Sequence, residues 1–181
     1  MNELTVEVDI TYEELESILQ KNNFKIKEIY DINDIYFVQK NKKIDITNAL
    51  LLREKIIDNN KKCFLEHKIK KINNKKEIEK QNNVLCKIEN IKEAKKFLES
   101  FDYIEKIKLH DHLIVYKNEK LEFAVQIVND KHIYIELEEK GQNKKYKNLE
   151  EIKNEFLKLN INIKENNFFV SKLEIALKEG N

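Results

Sequence analysis

Apolar and charged residues alternate along much of this chain. From Glu3 to Ile10, Leu4, Val6, Val8 and Ile10 fall on one side; Glu3, Thr5, Glu7 and Asp9 fall on the other. That period of two marks a strand with one buried face. The same pattern predicts strands over 32–38, 49–57, 63–72, 103–116, 121–128 and 132–140. In the segment 63–72, Phe64, Glu66, Lys68 and Lys70 share a side, with Leu65, His67 and Ile69 opposite. Lys117-Asn118-Glu119-Lys120 and Val128-Asn129-Asp130-Lys131 read as turns, the second closing a hairpin. The polar stretch 71–83 reads as a mobile loop, although Glu77 and Glu79 also suit a strand extension.

Helical spacing appears in four places, each behind a capping signal. Thr11-Tyr12-Glu13-Glu14 is a capping box opening a helix to about Lys21, with Leu15, Ile18 and Leu19 on one face. Asn90 opens a helix to about Phe101, Asn148 opens one carrying Ile152 and Phe156, and Ser171 opens a short last helix ending near Gly180. Phe168 and Phe169 precede that helix and read as its apolar anchor. The order is strand, helix, three or so strands, loop, helix, three strands, two helices. This predicts an α+β fold dominated by antiparallel strands, in a single domain over residues 1–181.

Composition narrows the classes. With 41% apolar residues the chain can build a core despite 37% charge. The 34 basic and 33 acidic residues nearly cancel, so bulk nucleic-acid binding is not expected. No apolar run approaches a membrane span and the first residues lack a signal-peptide stretch, so no membrane association and a cytoplasmic location are expected. Cys63 and Cys86 are too few and too isolated for a disulfide framework or a zinc ribbon. Two glycines cannot build a Walker loop or a dinucleotide fingerprint. His110-Asp111-His112 has transition-metal spacing but no third ligand nearby.

Charge sign differs by strand. Glu7 and Asp9 come from the first strand and Glu136 and Glu138 from the last; Arg53 with Lys55, Lys68 with Lys70, and Lys106 with Lys108 come from the middle. Arg53 is the single arginine in a chain otherwise built with lysine. Its planar fork grips a carboxylate or phosphate at two points, as lysine cannot. Such faces are either solvated or turned inward. If the sheet curls into a closed barrel with its polar face inside, acids and bases line one lumen. Paired carboxylates would then suit Mg²⁺ or Mn²⁺, and the basic wall would suit phosphate oxygens.

These pieces, in this order, resemble the CYTH domain, the family of class IV adenylate cyclases and thiamine triphosphatases within the triphosphate tunnel metalloenzymes. The resemblance covers nearly the whole chain. Its opening Glu-x-Glu-x-Lys strand corresponds to Thr5-Val6-Glu7-Val8-Asp9, and its Asp-x-Tyr strand to Asp34-Ile35-Tyr36. Its Leu-Arg-x-Arg strand corresponds to Leu52-Arg53-Glu54-Lys55, and the strand ending in lysine to Phe64-Leu65-Glu66-His67-Lys68. Lys106-Ile107-Lys108 stands for Lys-x-Arg and Glu136-Leu137-Glu138 for the closing Glu-x-Glu.

The resemblance implies an eight-stranded antiparallel β-barrel, the triphosphate tunnel, with flanking helices. It assigns Glu7, Glu136 and Glu138 to a Mg²⁺ or Mn²⁺ ion. Arg53, Lys55, Lys68, Lys106 and Lys108 go to phosphate, and Asp34 supports the wall or a basic neighbour. The implied ligand is a triphosphate-bearing small molecule or nucleotide, and a homodimer is compatible with it. The implied activity is metal-dependent hydrolysis of inorganic, thiamine or nucleoside triphosphate. The alternatives are cyclisation of ATP to cyclic AMP, and a phosphate- or nucleotide-binding module with weakened catalysis. Thr5, Asp9 and Gln126 stand where the family has Glu, Lys and an acid, which favours the binding module. A two-residue slip would instead pair Glu7 with Asp9, and His110 or His112 could take a phosphate position on the long strand.

Overall fold

The capping signals open the helices where the sequence places them. A computed structural model describes residues 3–72, 78–138, 142, 146, 148–164 and 172–178. Its elements run β1 (Glu3–Glu7), α1 (Tyr12–Lys21), β2 (Lys25–Gln39), β3 (Asn48–Ile57), β4 (Asn60–Ile72), β5 (Ile78–Ile88), α2 (Ile91–Ser100), β6 (Tyr103–Lys117), β7 (Glu122–Val128), β8 (His132–Glu138), α3 (Leu149–Leu157) and α4 (Lys172–Lys178). Thr11 forms the full capping box with Glu14, and Asn90 and Asn148 accept from the first-turn amides of α2 and α3. Phe168, Phe169, Ser171, Glu77 and Lys140 lie outside the described residues.

The eight strands form one antiparallel sheet in the order β1-β8-β7-β6-β2-β3-β4-β5. The sheet is open, with β1 and β5 as its end strands, and is not the closed barrel that the resemblance implied. A second correction concerns the expected loop at 71–83: from Ile78 onward it is the strand β5, laddered to β4 through pairs such as Lys70↔Gln81 and Lys68↔Asn83. An end strand is held by backbone hydrogen bonds on one side and needs no buried face. Its Asn-rich, non-alternating sequence therefore hid it from a pattern search.

Tight turns set the registers. Asp58 and Asn59 both have positive φ (48° and 64°), the geometry of a two-residue hairpin turn matching strand twist. In a chain with two glycines, Asn and Asp supply most left-handed positions. This turn closes Ile57 on Asn60 and fixes Arg53 opposite Phe64, with Leu51 opposite Glu66.

Two compact units divide the chain. Unit 1 comprises Met1–Ile29 and His112–Val170; unit 2 comprises Tyr30–Asp111 and Ser171–Asn181. In unit 1 the inward residues of β1, β7 and β8 (Leu4, Val6, Val125, Ile135, Leu137) pack with Leu15 and Leu19 of α1 and Ile152 and Phe156 of α3. In unit 2, Phe37 and Leu52 pack with Leu98 of α2, with Leu50, Leu65 and Ile88 alongside. In each case the helices cover one face of the strands, and alternation sends the polar residues to the other.

Candidate functional site

The polar face of unit 2 is built by pairing. Asp34 on β2 lies directly opposite Arg53 on β3, and Glu66 on β4 is one step diagonal from it. Arg53 grips Asp34 with both arms of its fork: Nε donates to Oδ1 at 2.7 Å and Nη2 to Oδ2 at 2.6 Å. Nη1 lies 3.1 Å from Glu66 Oε2. Asp34 is 2% exposed and Glu66 0%, so both carboxylates depend on this guanidinium. Burial pushes the Asp34 carboxyl upward, yet Arg53 outweighs it and holds the group below the usual carboxylate range.

Lys68 follows Glu66 by two residues and shares its face, between the short Ala49 on β3 and Asn83 on β5. Its side chain is half-buried, and among the described residues its ammonium makes no hydrogen bond or close ion pair. Burial, then the neighbouring Arg53 charge, lowers its pKa to about 8. Lys55 points to the same face two residues before the turn and stands 3.5 Å from the Tyr30 ring centroid, a cation–π contact. A further charge pair closes the cluster: Lys172, from α4, meets Asp111 Oδ2 at 2.6 Å, and Asp111 is 1% exposed. Lys172 also acts electrostatically on both Asp34 and Lys68.

The remaining expected phosphate ligands lie elsewhere. Lys106 is exposed. Lys108 pairs with Glu105 at 2.9 Å, and Glu105 also receives Lys95 from α2 at 2.6 Å, on the side of the strands that carries the helix. His110 Nδ1 lies 2.9 Å from Asn33 Oδ1, and Asn33 alternates with Asp34 and so faces away from Arg53. The structure thus brings Arg53, Lys55, Lys68 and Asp34 together and leaves Lys106, Lys108 and His110 apart.

The polar face of unit 1 carries the acids. Thr5, 9% exposed, stands opposite Glu136, and Glu7 opposite Tyr134. Glu7 Oε1 meets His132 Nδ1 at 2.8 Å and Lys164 Nζ at 3.2 Å. Glu136 Oε2 accepts from Gln126 Nε2 at 2.9 Å, and Gln126 is 2% exposed. Glu138 lies on the same face at the end of β8, opposite Glu3. Asp9 is exposed beyond the end of β1, its N–H bound to the Asn162 carbonyl. Among the described residues no group of three or more His, Cys, Asp or Glu is arranged to hold a metal ion. Mg²⁺ and Mn²⁺ require acceptor oxygens, whereas Glu7 and Glu136 face N–H donors. The donor set of this face does not fit the implied ion.

Sequence reasoning missed Glu66, Asp111, Lys172, His132 and Lys164. Glu66 was within reach, since it shares a strand face with Lys68. Lys172 and Lys164 carry no local signal, because each meets its acid only through the tertiary fold.

Among the described residues no helix is long and apolar enough to cross a membrane. No family model and no curated protein matches the chain. Solved structures do. The PH1819 protein of Pyrococcus horikoshii matches with a TM-score of 0.73 at 20% identity, over 98% of this chain and 99% of that one. HpAC1 of Hippeastrum, a proposed adenylyl cyclase with a dominant triphosphatase activity, matches with a TM-score of 0.66 at 15% identity, over 98% and 96%. A Vibrio parahaemolyticus protein, a proposed adenylate cyclase, matches with a TM-score of 0.63 at 8% identity, over 97% of each chain. At these identities the likeness is one of fold, and it extends over essentially the whole length of each protein.

Proposed function

We propose that this chain is a CYTH-type domain that binds a triphosphate-class anion through the Arg53–Lys68 face of unit 2. The observation that carries this is Lys68. An ammonium held half-buried, beside a guanidinium and without a hydrogen-bond partner among the described residues, is costly to the fold. An anion returns that cost as affinity. Arg53 is locked by Asp34 and Glu66, so it acts as a rigid positive wall rather than a mobile clamp. Two of its five N–H donors are taken by Asp34, and Nη1 is in an ion pair with Glu66. Lys55 and Lys70 extend the same face along β3 and β4. The Hippeastrum protein, whose fold is similar, supports a triphosphate as the ligand class. A cytoplasmic location, without bulk nucleic-acid binding, belongs to the same reading.

The test is thermal stabilisation of the full chain by tripolyphosphate. A specific ligand at a hundred times its dissociation constant adds about 2.7 kcal/mol. Stabilisation by tripolyphosphate, lost in Lys68→Met, is expected; no stabilisation by any polyphosphate or nucleotide would sink the proposal.

Hydrolysis of the bound triphosphate is the second reading, favoured by the triphosphatase activity of the Hippeastrum protein. Here Arg53 and Lys68 would orient the phosphates and stabilise charge developing on their oxygens. Release of phosphate or pyrophosphate from tripolyphosphate, thiamine triphosphate or ATP distinguishes hydrolysis from binding alone. Cyclic AMP formed from ATP would mark cyclisation.

A further inference from the structure

We infer that this chain takes its phosphate ligand as the metal-free polyanion, with the acids of unit 1 satisfied by the protein's own N–H donors and no divalent ion between them. The ligand arm of this inference rests on the phosphate-binding reading above; the metal arm does not.

Each of these carboxylates already accepts from a protein donor. Glu7 Oε1 lies between His132 Nδ1 (2.8 Å) and Lys164 Nζ (3.2 Å). A carboxylate only accepts, so the proton of that short contact is carried on the His132 nitrogen. A divalent ion binding through Oε1 would therefore have to displace an ammonium and an N–H group from that oxygen.

Glu136 repeats the arrangement with a neutral donor. Gln126 sits on β7 beside β8 and turns Nε2 onto Glu136 Oε2. Gln126 Oε1 is then buried with no hydrogen-bond partner among the described residues. Reversing the amide would set its oxygen against the Glu136 carboxylate. In the donor orientation the amide satisfies Glu136 Oε2 without a cation. On the other side of β8, position 5 is a threonine opposite Glu136, which removes a third negative ligand. Mg²⁺ demands near-octahedral oxygen coordination at about 2.0–2.1 Å. Among the described residues the hydrogen-bond partners of both acids are nitrogens.

The consequence concerns ligand form. Chelation by Mg²⁺ removes two charges from a polyphosphate. A site that relies on Arg53, Lys55 and Lys68 for its attraction therefore prefers the unchelated anion.

Mn²⁺ alone, titrated calorimetrically into the wild-type full chain, should show no stoichiometric site. A one-to-one site that disappears in Glu136→Gln would overturn the inference, whatever happens to phosphate. Tripolyphosphate should bind in EDTA at least as tightly as in excess Mg²⁺; tightening by Mg²⁺ of more than about tenfold would also overturn it. Binding in neither buffer would remove the phosphate reading and leave the Mn²⁺ titration to decide the metal. The double variant Gln126→Glu/Lys164→Ala replaces donors by acceptors and should gain Mn²⁺ binding. A folded double variant with no gain would show that these donors are not what keeps the ion out.

Discussion

The acids of the two polar faces are met in two different ways in this protein. In unit 2 three carboxylates, Asp34, Glu66 and Asp111, are almost fully buried and are met by full positive charges on Arg53 and Lys172. In unit 1, Glu136 is met by a neutral amide and Glu7 by a histidine and a half-exposed ammonium. A full charge pair in a dry site is held strongly in place, and losing one partner strands the other. An amide donor satisfies a carboxylate at lower stakes. Unit 2 should therefore be fragile to single substitutions and electrostatically attractive to anions. Unit 1 should tolerate substitution and attract no ion.

The largest expected effect tests the first half of that contrast. Arg53→Ala leaves Asp34 and Glu66 buried without their shared partner and should cost about 3–5 kcal/mol in urea unfolding. Arg53→Lys keeps the charge but loses the fork, so it should fall between wild type and alanine. A loss below about 1 kcal/mol for Arg53→Ala would show that the buried pair carries no special weight. The same pair has a pH signature. The Asp34 pKa is lower in the folded protein than in the unfolded chain, with burial opposing and Arg53 prevailing. Its contribution is complete above the unfolded value near 3.8 and is lost as pH falls through the still lower folded value. The acid limb of the stability curve should therefore flatten in Arg53→Ala.

Lys68 gives the next largest effect, and its sign is opposite. Its folded pKa of about 8 lies below the ordinary lysine value of 10.5, so the fold disfavours its charge. The unfolded chain binds more protons between those values, and stability should rise with pH across that window. Lys68→Met should therefore stabilise the protein at neutral pH while weakening tripolyphosphate binding by at least about tenfold, or about 1.4 kcal/mol. Wild-type affinity should fall as pH passes about 8, where the ammonium loses its proton. A variant that loses stability and keeps binding would reverse the assignment, making Lys68 a structural residue.

Unit 1 supplies a smaller effect. Gln126→Met keeps the volume of a side chain that is 2% exposed but removes one hydrogen bond to Glu136. The expected cost is about 1 kcal/mol, well below that of Arg53→Ala. A cost equal to that of Arg53→Ala would erase the difference between the two units.

Legibility followed the range of the interactions. Capping boxes and strand alternation act within a few residues, so α1, α2, α3 and most strands could be placed from the chain alone. The first half of β2 and all of β5 were not, because exposed strand segments show no hydrophobic period: Ile26 and Ile29 are about half exposed, and Val84 and Leu85 more than half. Parity grouped Arg53 with Lys55 and Lys68 with Lys70, and the family resemblance gave Asp34 to the wall or a basic neighbour; the pairing of Asp34 with Arg53 itself comes from the fold. The partners that decide the chemistry were hidden. His132, Lys164 and Lys172 reach their acids across sequence separations of 125, 157 and 61 residues, where no spacing rule applies.

Lys108 gives the smallest expected effect, and it separates motif from geometry. By motif it belongs with Lys68 as a phosphate ligand. By geometry it is 68% exposed and tied to Glu105, which Lys95 of α2 also holds. Exposed pairs of this kind contribute about 0–1 kcal/mol, and water screens their charge from any ligand a few residues away. Lys108→Gln should therefore leave stability nearly unchanged and tripolyphosphate affinity within about twofold of wild type, while Lys68→Met on the same protein loses at least about tenfold. The measurement is a matched pair of titrations at one ionic strength. Equal losses for the two lysines would mean that the strand carries Lys108 to the ligand after all, and that the basic site extends beyond the Arg53 face.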